Sequence, residues 1–165
     1  MLLQYYPDEI KNSYIRIGTR MANVLGKLYF DQGVVEKSGT YFKQAYEYSN
    51  RSGSKEDLID ALVYLGKIDA LGNNMAGAIK SISEARDIGV QTGMASKSWE
   101  PFYELGLLYY TQKRYDSAIA NFRIAVDIIE KNTENIYGDE EARTIFKSDP
   151  RKVDLYSKII ASFAV

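Results

Sequence analysis

Residues 102–125 read FYELGLLYYTQKRYDSAIANFRIA. In this stretch, small and bulky apolar side chains recur at the spacing of one helix face. The pattern occurs twice, once on each side of a polar segment. The first face carries Leu105, Gly106 and Tyr109, and the second carries Ala118, Phe122 and Ala125. The polar segment between them, Gln112-Lys113-Arg114, has the composition of a turn. The stretch therefore predicts two helices folded into a hairpin.

The same columns of residues return twice at intervals of 40 residues toward the N-terminus. The glycine that follows leucine is the clearest column, at Gly26, Gly66 and Gly106. The other columns are Ser38, Ala78 and Ala118; Phe42, Ile82 and Phe122; and Ala45, Ala85 and Ala125. Small residues let the two helices of a hairpin approach closely, and a bulky replacement there would cost a few kcal/mol through overpacking.

One hairpin cannot cover its own apolar face, so neighbouring hairpins stack and bury it jointly. The repeat therefore predicts an all-α, right-handed superhelical solenoid of three hairpins in a single domain of residues 1–165, with repeats at about 14–53, 54–93 and 94–133. A further helical segment is expected at 138–165. The concave groove of such a solenoid is lined mainly by the first helix of each hairpin.

Two helix starts can be examined in the sequence. Ser54 followed by Asp57 is suited to cap the first helix of the second repeat, with an acidic residue in its first turn. In the third repeat the pattern leaves two alternatives. A helix that starts at Ser98 would have Pro101 in its first turn, where the missing N–H is tolerated, whereas a helix that starts near Met94 would be kinked by Pro101.

These columns resemble the signature of the tetratricopeptide repeat family. The third repeat is the best match, with Phe102, Leu105, Gly106, Tyr109, Tyr115, Ala118, Phe122 and Ala125 in the order and spacing of that signature. The period of 40 residues departs from the usual 34 of the family. Such extended repeats resemble those of bacterial signalling and regulatory proteins. The resemblance implies a scaffold that binds other proteins.

The C-terminal segment has two interpretations. It can be a helix that caps the solenoid, as atypical end repeats do. However, the final residues 159–165, IIASFAV, are apolar for a cap, which favours contact with another molecule and is compatible with a homo-oligomer formed through this segment. Residues 128–160 also resemble the end of the repeat arrays that precede caspase-like CHAT domains. That resemblance implies that the chain is a fragment, or a stand-alone relative, of a larger regulatory protein.

Composition excludes several classes of function. The chain has no histidine and no cysteine, so His-dependent triads and the common zinc sites are unavailable, and no other catalytic or metal-binding spacing is present. We therefore expect no enzymatic activity, no cofactor and no metal. A net charge of −1 argues against a nucleic-acid partner. The start of the chain lacks the pattern of a signal peptide, and the apolar runs are too short to span a membrane, so we expect a cytoplasmic protein without a membrane partner.

The repeat register predicts which side chains of the first helices face the groove. They are Arg20, Asn23, Lys27, Tyr64, Lys67, Glu100, Tyr103, Glu104 and Tyr110. Tyrosines among charges of both signs suit a peptide or protein partner, because they supply contact area at little entropic cost. The carboxylate clamp of chaperone-binding repeats is not expected, since Glu100 and Glu104 stand where that clamp needs cations. The alternative is a structural or self-association element without a peptide ligand.

Overall fold

The computed structural model describes residues 8–137, together with Ser157. This part of the chain consists of six helices and contains no strand. The helices are α1 (Asp8–Asp31), α2 (Val35–Ser52), α3 (Lys55–Leu71), α4 (Met75–Thr92), α5 (Ala95–Thr111) and α6 (Tyr115–Tyr137). The predicted all-α architecture of helical hairpins is confirmed. Apart from Ser157, the predicted C-terminal segment 138–165 lies outside the described residues.

The chain divides into two compact units, Met1–Ile88 and Gly89–Val165. In the first unit, α1 packs against α2 and α2 packs against α3. In the second unit, α5 packs against α6. Helix α1 begins six residues before residue 14, the predicted start of the first repeat (14 − 8 = 6).

The turn inside each hairpin has the same backbone geometry. Its central residue has a positive φ in all three cases, at Gly33, Asn73 and Lys113. Two hydrogen bonds close each turn, as in the first hairpin, where the N–H groups of Gly33 and Val34 donate to the carbonyls of Phe30 and Tyr29 at 2.9 Å. This is the Schellman ending of a helix, which satisfies carbonyls that would otherwise have no partner. The turn chemistry therefore ends the first helix of each hairpin at the same column.

The repeat columns form the core of each unit. All nine residues of the three columns in the second helices are fully buried: Ser38, Phe42, Ala45, Ala78, Ile82, Ala85, Ala118, Phe122 and Ala125. Ser38, the polar member, donates its hydroxyl to the Gly26 carbonyl at 2.9 Å. Because a buried hydroxyl with a partner costs little, serine is tolerated in a column of alanines.

The glycine column marks the closest approach between the two helices of a hairpin. A Cβ atom added at Gly66 would lie 2.5 Å from Cγ1 of Ile82 and 3.0 Å from the backbone oxygen of Ala78. At Gly26 it would lie 2.8 Å from the ring of Phe42. At Gly106 it would overlap the ring of Phe122. Only glycine leaves room for the bulky residue that fills the centre of each hairpin.

The structure decides the two helix starts that the sequence raised. Ser54 occupies the N-cap position of α3, but its side chain bonds no backbone amide. Instead, its hydroxyl donates to the carboxylate of Asp57 at 2.6 Å. Helix α5 begins at Ala95, so Pro101 lies inside the helix, and its side chain is fully buried. Since proline has no N–H, the carbonyl of Lys97 receives no i→i−4 hydrogen bond from it.

We expect Gly66→Ala to lower the free energy of unfolding by about 1–3 kcal/mol, because the added methyl group must displace Ile82 or the backbone of α4. Chemical denaturation of the purified chain measures this change. Gly39→Ala in α2 is the matched control, since its Cβ would meet only the Ile68 side chain at 3.9 Å, an ordinary contact. The control should gain up to about 1 kcal/mol from helix propensity. Equal effects of the two substitutions would contradict the close-packing role of Gly66.

Lys113 is the one lysine with a positive φ among the described residues, at 60°. A left-handed conformation costs a side chain other than glycine or asparagine about 1 kcal/mol. Lys113→Gly should therefore raise the free energy of unfolding by up to about 1 kcal/mol, after the larger backbone entropy of glycine in the unfolded chain is subtracted. Thermal unfolding followed by circular dichroism tests this. A lower melting temperature for the variant would show that Lys113 is not strained.

Candidate functional site

Five side chains of α1 and α3 form a mixed group that we call the aromatic–lysine cluster: Lys27, Phe30, Asp60, Tyr64 and Lys67. The rings of Phe30 and Tyr64 meet edge to face, with centroids 5.3 Å apart. The Nζ atom of Lys27 lies 5.3 Å from the Tyr64 ring centroid. Lys67 lies 5.0 Å from the ring centroid of Tyr64 and 5.6 Å from that of Phe30. Two ammonium groups thus contact the same phenol ring within the range of cation–π attraction.

The helical spacing explains why these residues meet. Lys27 and Phe30 are separated by three positions on α1, and Asp60, Tyr64 and Lys67 recur at four and three positions on α3, so each set shares one face. An ion pair joins the two helices, with 2.9 Å between Nζ of Lys27 and Oδ2 of Asp60. The Asp60 side chain is 12% exposed and that of Lys27 is 36% exposed, so this pair is better shielded than an ordinary surface pair.

The floor of the cluster is the core of the first hairpin. The ring of Tyr64 stacks on the fully buried ring of Phe42, with centroids 4.6 Å apart and an interplanar angle of 13°. Phe42 is the residue for which Gly26 leaves space. The position of Tyr64 therefore depends on the same close approach that builds the hairpin.

Asn23 lies one turn before Lys27 on α1 and is only 5% exposed. Its amide nitrogen donates to the backbone oxygen of Asp57 at 3.1 Å, which links α1 to the first turn of α3. Its carbonyl oxygen Oδ1 is buried and accepts no hydrogen bond from the described residues. A buried acceptor without a donor lowers the free energy of unfolding by about 1–3 kcal/mol, so the Asn23 side chain destabilises the fold at this position.

The remaining predicted groove residues differ in exposure. Arg20 is exposed on α1. In the second unit, Glu104 is buried and Glu100 is half-buried. Tyr103 packs on the buried ring of Phe122 with centroids 6.0 Å apart, and Tyr110 meets Tyr115 edge to face at 5.7 Å.

The structure thus brings Lys27, Tyr64 and Lys67 into one cluster and places Asn23 in the contact between α1 and α3. Sequence analysis did not find Asp57 as the partner of Asn23, because the two residues are 34 positions apart and no local pattern links them. Contact of any of these residues with a partner remains a prediction.

Two kinds of site are not found within the part of the chain that the structure describes. No three carboxylate side chains there come close enough together to hold a metal ion. None of the helices over residues 8–137 combines the length and apolar character that crossing a lipid bilayer requires.

Comparison with known proteins supports the family that the repeat columns resemble. Residues 100–132, which include most of α5 and much of α6, match the family model of the tetratricopeptide repeat. No curated protein matches the chain. The resemblance of the C-terminal segment to arrays that precede caspase-like domains remains a prediction.

A solved structure has the same fold. It is the crystal structure of BtubC (BKLC) from P. vanneervenii, with a TM-score of 0.60 and 19% sequence identity. The similarity covers 88% of this chain and 64% of that one, so the chain spans less than two thirds of its length. At this identity the similarity shows the fold alone.

The cost of the Asn23 side chain can be measured. Valine occupies the equivalent column of the second repeat at Val63 and is buried there. Asn23→Val removes the unsatisfied oxygen, so we expect the free energy of unfolding to rise by about 1 kcal/mol despite the lost bond to Asp57. Thr19→Val is the control, because the buried Thr19 hydroxyl already donates to the Ile15 carbonyl at 2.8 Å. A loss of stability in Asn23→Val that exceeds the loss in the control would show that the amide is structural.

Proposed function

We propose that this chain is a protein-interaction module that binds an acidic, extended peptide segment of a partner protein on the α1–α3 face, at the aromatic–lysine cluster. The observation that supports this most is the pair of lysines placed against one tyrosine ring. The proposed role requires no catalysis. A tetratricopeptide repeat at residues 100–132 supports a protein-interaction role in general, whereas the acidic peptide and the binding face are our proposal.

Charge favours an acidic ligand at this face. Arg20, Lys27 and Lys67 carry three positive charges on α1 and α3, against the carboxylates of Asp57 and Asp60. Both carboxylates are at least half-buried, whereas Arg20 is exposed, so positive charge is the more accessible to a ligand. Acidic side chains of a ligand would be attracted to this face, and basic ones would be repelled.

The aromatic rings supply the second part of the recognition. Phe30 and Tyr64 are half-buried, so each presents part of its ring while the rest is held by packing. A ring that is already held loses little side-chain entropy when a ligand covers it. The lysines beside the rings keep their stems against apolar surface and hold their ammonium groups over the rings. The face therefore combines a rigid apolar platform with positive charge.

A peptide display selection with the immobilised chain tests the proposal. We expect the selected peptides to be enriched in Asp and Glu, with an aromatic or aliphatic residue among them. Lys67→Glu should weaken the binding of a selected peptide at least about tenfold in a fluorescence polarisation titration, since it replaces attraction with repulsion at the cluster. Raising the salt concentration should weaken binding by the unchanged chain as well.

Lys43→Glu is the matched control, because Lys43 is exposed on α2 and lies outside the cluster. The control should leave the peptide affinity within about twofold, since an exposed charge on α2 is screened by solvent and salt. Selection of peptides without acidic residues would overturn the proposal. So would an affinity that falls equally in the two variants, because the effect would then come from net charge alone.

A further inference from the structure

Helix α1 exposes a continuous apolar stripe. Six large apolar side chains of this helix are between 40% and 65% exposed. The α1 stripe consists of Ile10, Tyr14, Ile17, Met21, Val24 and Leu28. No other helix among the described residues exposes more than two large apolar side chains. Contiguous apolar surface of this size is uncommon on a monomeric protein and marks an interaction site.

The spacing along the α1 stripe is that of a coiled-coil seam. Successive members are separated by four, three, four, three and four positions, which is the heptad alternation. The stripe continues for nearly three heptads, which corresponds to about 27 Å along the helix axis at 1.5 Å per residue. The face that α1 turns to its own unit is different and carries Thr19, Ala22, Asn23 and Gly26, all buried. One helix therefore has two separate packing faces.

The internal repeat shows what normally covers part of this face. On α3, the columns equivalent to Met21, Val24 and Leu28 are Ala61, Tyr64 and Ile68. Helix α2 covers these three residues of α3: Ala45 and Ala61 share a buried cluster, Phe42 stacks on Tyr64, and Gly39 lies beside Ile68. On α1, the counterparts of these three residues are Met21, Val24 and Leu28, and no helix among the described residues covers them.

A helix that packed on α1 in the way that α2 packs on α3 would not cover the whole α1 stripe. Helix α3 begins at Lys55, which corresponds to residue 15 of α1, whereas α1 begins at Asp8. Ile10 and Tyr14 lie on these additional turns, which have no counterpart in the second repeat. The uncovered surface is thus longer than the contact between neighbouring hairpins. A second α1 helix, which spans about 36 Å over its 24 residues, is long enough to cover all of it.

From these observations we propose that α1 pairs with α1 of a second copy of this chain, and that the two helices run parallel. The six side chains are 40–65% exposed along one face, and a pair of such faces is compatible with the lower end of specific interfaces, about 1,200 Å² in total. The charges along the stripe decide the orientation. Arg20 and Lys27 lie along one border. Lys11, Gly18 and Leu25 lie along the other, where Lys11 forms an ion pair with Asp8 at 3.0 Å.

In a parallel pair, Arg20 and Lys27 lie against the border of the second helix that carries Gly18 and Leu25, whereas an antiparallel pair would bring the two borders with Arg20 and Lys27 together. The parallel arrangement therefore avoids repulsion between like charges. This dimer is separate from the homo-oligomer that the sequence suggests through residues 159–165. The two interfaces can be told apart by substitution.

Analytical ultracentrifugation over a range of protein concentrations tests the proposal. We expect the unchanged chain to dimerise and the variant Met21→Asp/Val24→Asp to raise the dimer dissociation constant at least about a hundredfold, because two carboxylates per helix would be buried in the seam. Ile124→Asp is the matched control, since Ile124 is an exposed apolar residue of α6, and it should leave the constant unchanged. Circular dichroism checks that each variant is helical.

The absence of cysteine from the chain permits a second, independent measurement. Met21→Cys and Tyr14→Cys, made separately, should each form a disulfide-linked dimer under mild oxidation. Two parallel helices place both positions beside their own counterparts, whereas an antiparallel pair can do so for at most one of them. Lys43→Cys on α2 should remain monomeric.

Three results would overturn the proposal: a chain that is monomeric at every concentration, a dimer that Phe163→Asp abolishes and Met21→Asp/Val24→Asp leaves intact, or an absence of cross-linking at both cysteines. If the double variant is not helical, the two cysteine variants decide the question alone. None of these results bears on the peptide affinity measured with Lys67→Glu, so the two proposals fail separately.

Discussion

The distance between the two helices of a hairpin is the constraint on which the other features depend. The absence of a side chain at Gly26 and Gly66 lets the ring of Phe42 and the branched chain of Ile82 lie directly against the backbone of the first helix. This contact fixes the position of the second helix along the first helix. It thereby also fixes which residues of the first helix point away from the second helix. The orientation of Tyr64 follows from that packing, because its ring rests on Phe42. The Tyr64 ring of the proposed binding surface is thus positioned by a glycine on another helix, α1.

The sequence was sufficient to predict the hairpins because their packing is periodic. A column of small residues at a fixed interval has few explanations other than repeated close contact, and the structure confirms it with fully buried side chains at all nine positions of the second helices. The helix start at α5 could not be decided in the same way. The local rules tolerated Pro101 in a first turn and predicted a kink inside a helix, without deciding between the two, and the structure places the buried ring inside α5. Local propensity does not contain that information.

The candidate site was predictable only in part, for a related reason. The repeat register identifies residues of the first helices that point toward one face, but it does not measure how far the neighbouring helix covers them. Asn23 and Lys27 lie one turn apart, yet Asn23 is enclosed by the first turn of α3 and Lys27 reaches the Tyr64 ring. The α1 stripe was missed because apolar residues at helical spacing are usually read as core. Their exposure becomes visible only when the helices on each side are known.

The two proposed surfaces share one helix, which has a consequence for binding strength. Lys27 and Phe30 contribute to the aromatic–lysine cluster from α1, and Lys27 also lies at the border of the α1 stripe. Pairing through the stripe would place Lys27 at the edge of the interface and would join two such clusters in one assembly. A partner that carries two acidic segments could then occupy both, and the second binding step would be intramolecular. Modest affinity at a single cluster would be enough for tight binding to such a partner. The dimer raises the effective concentration for the second binding step, and so the overall affinity, without any new contact.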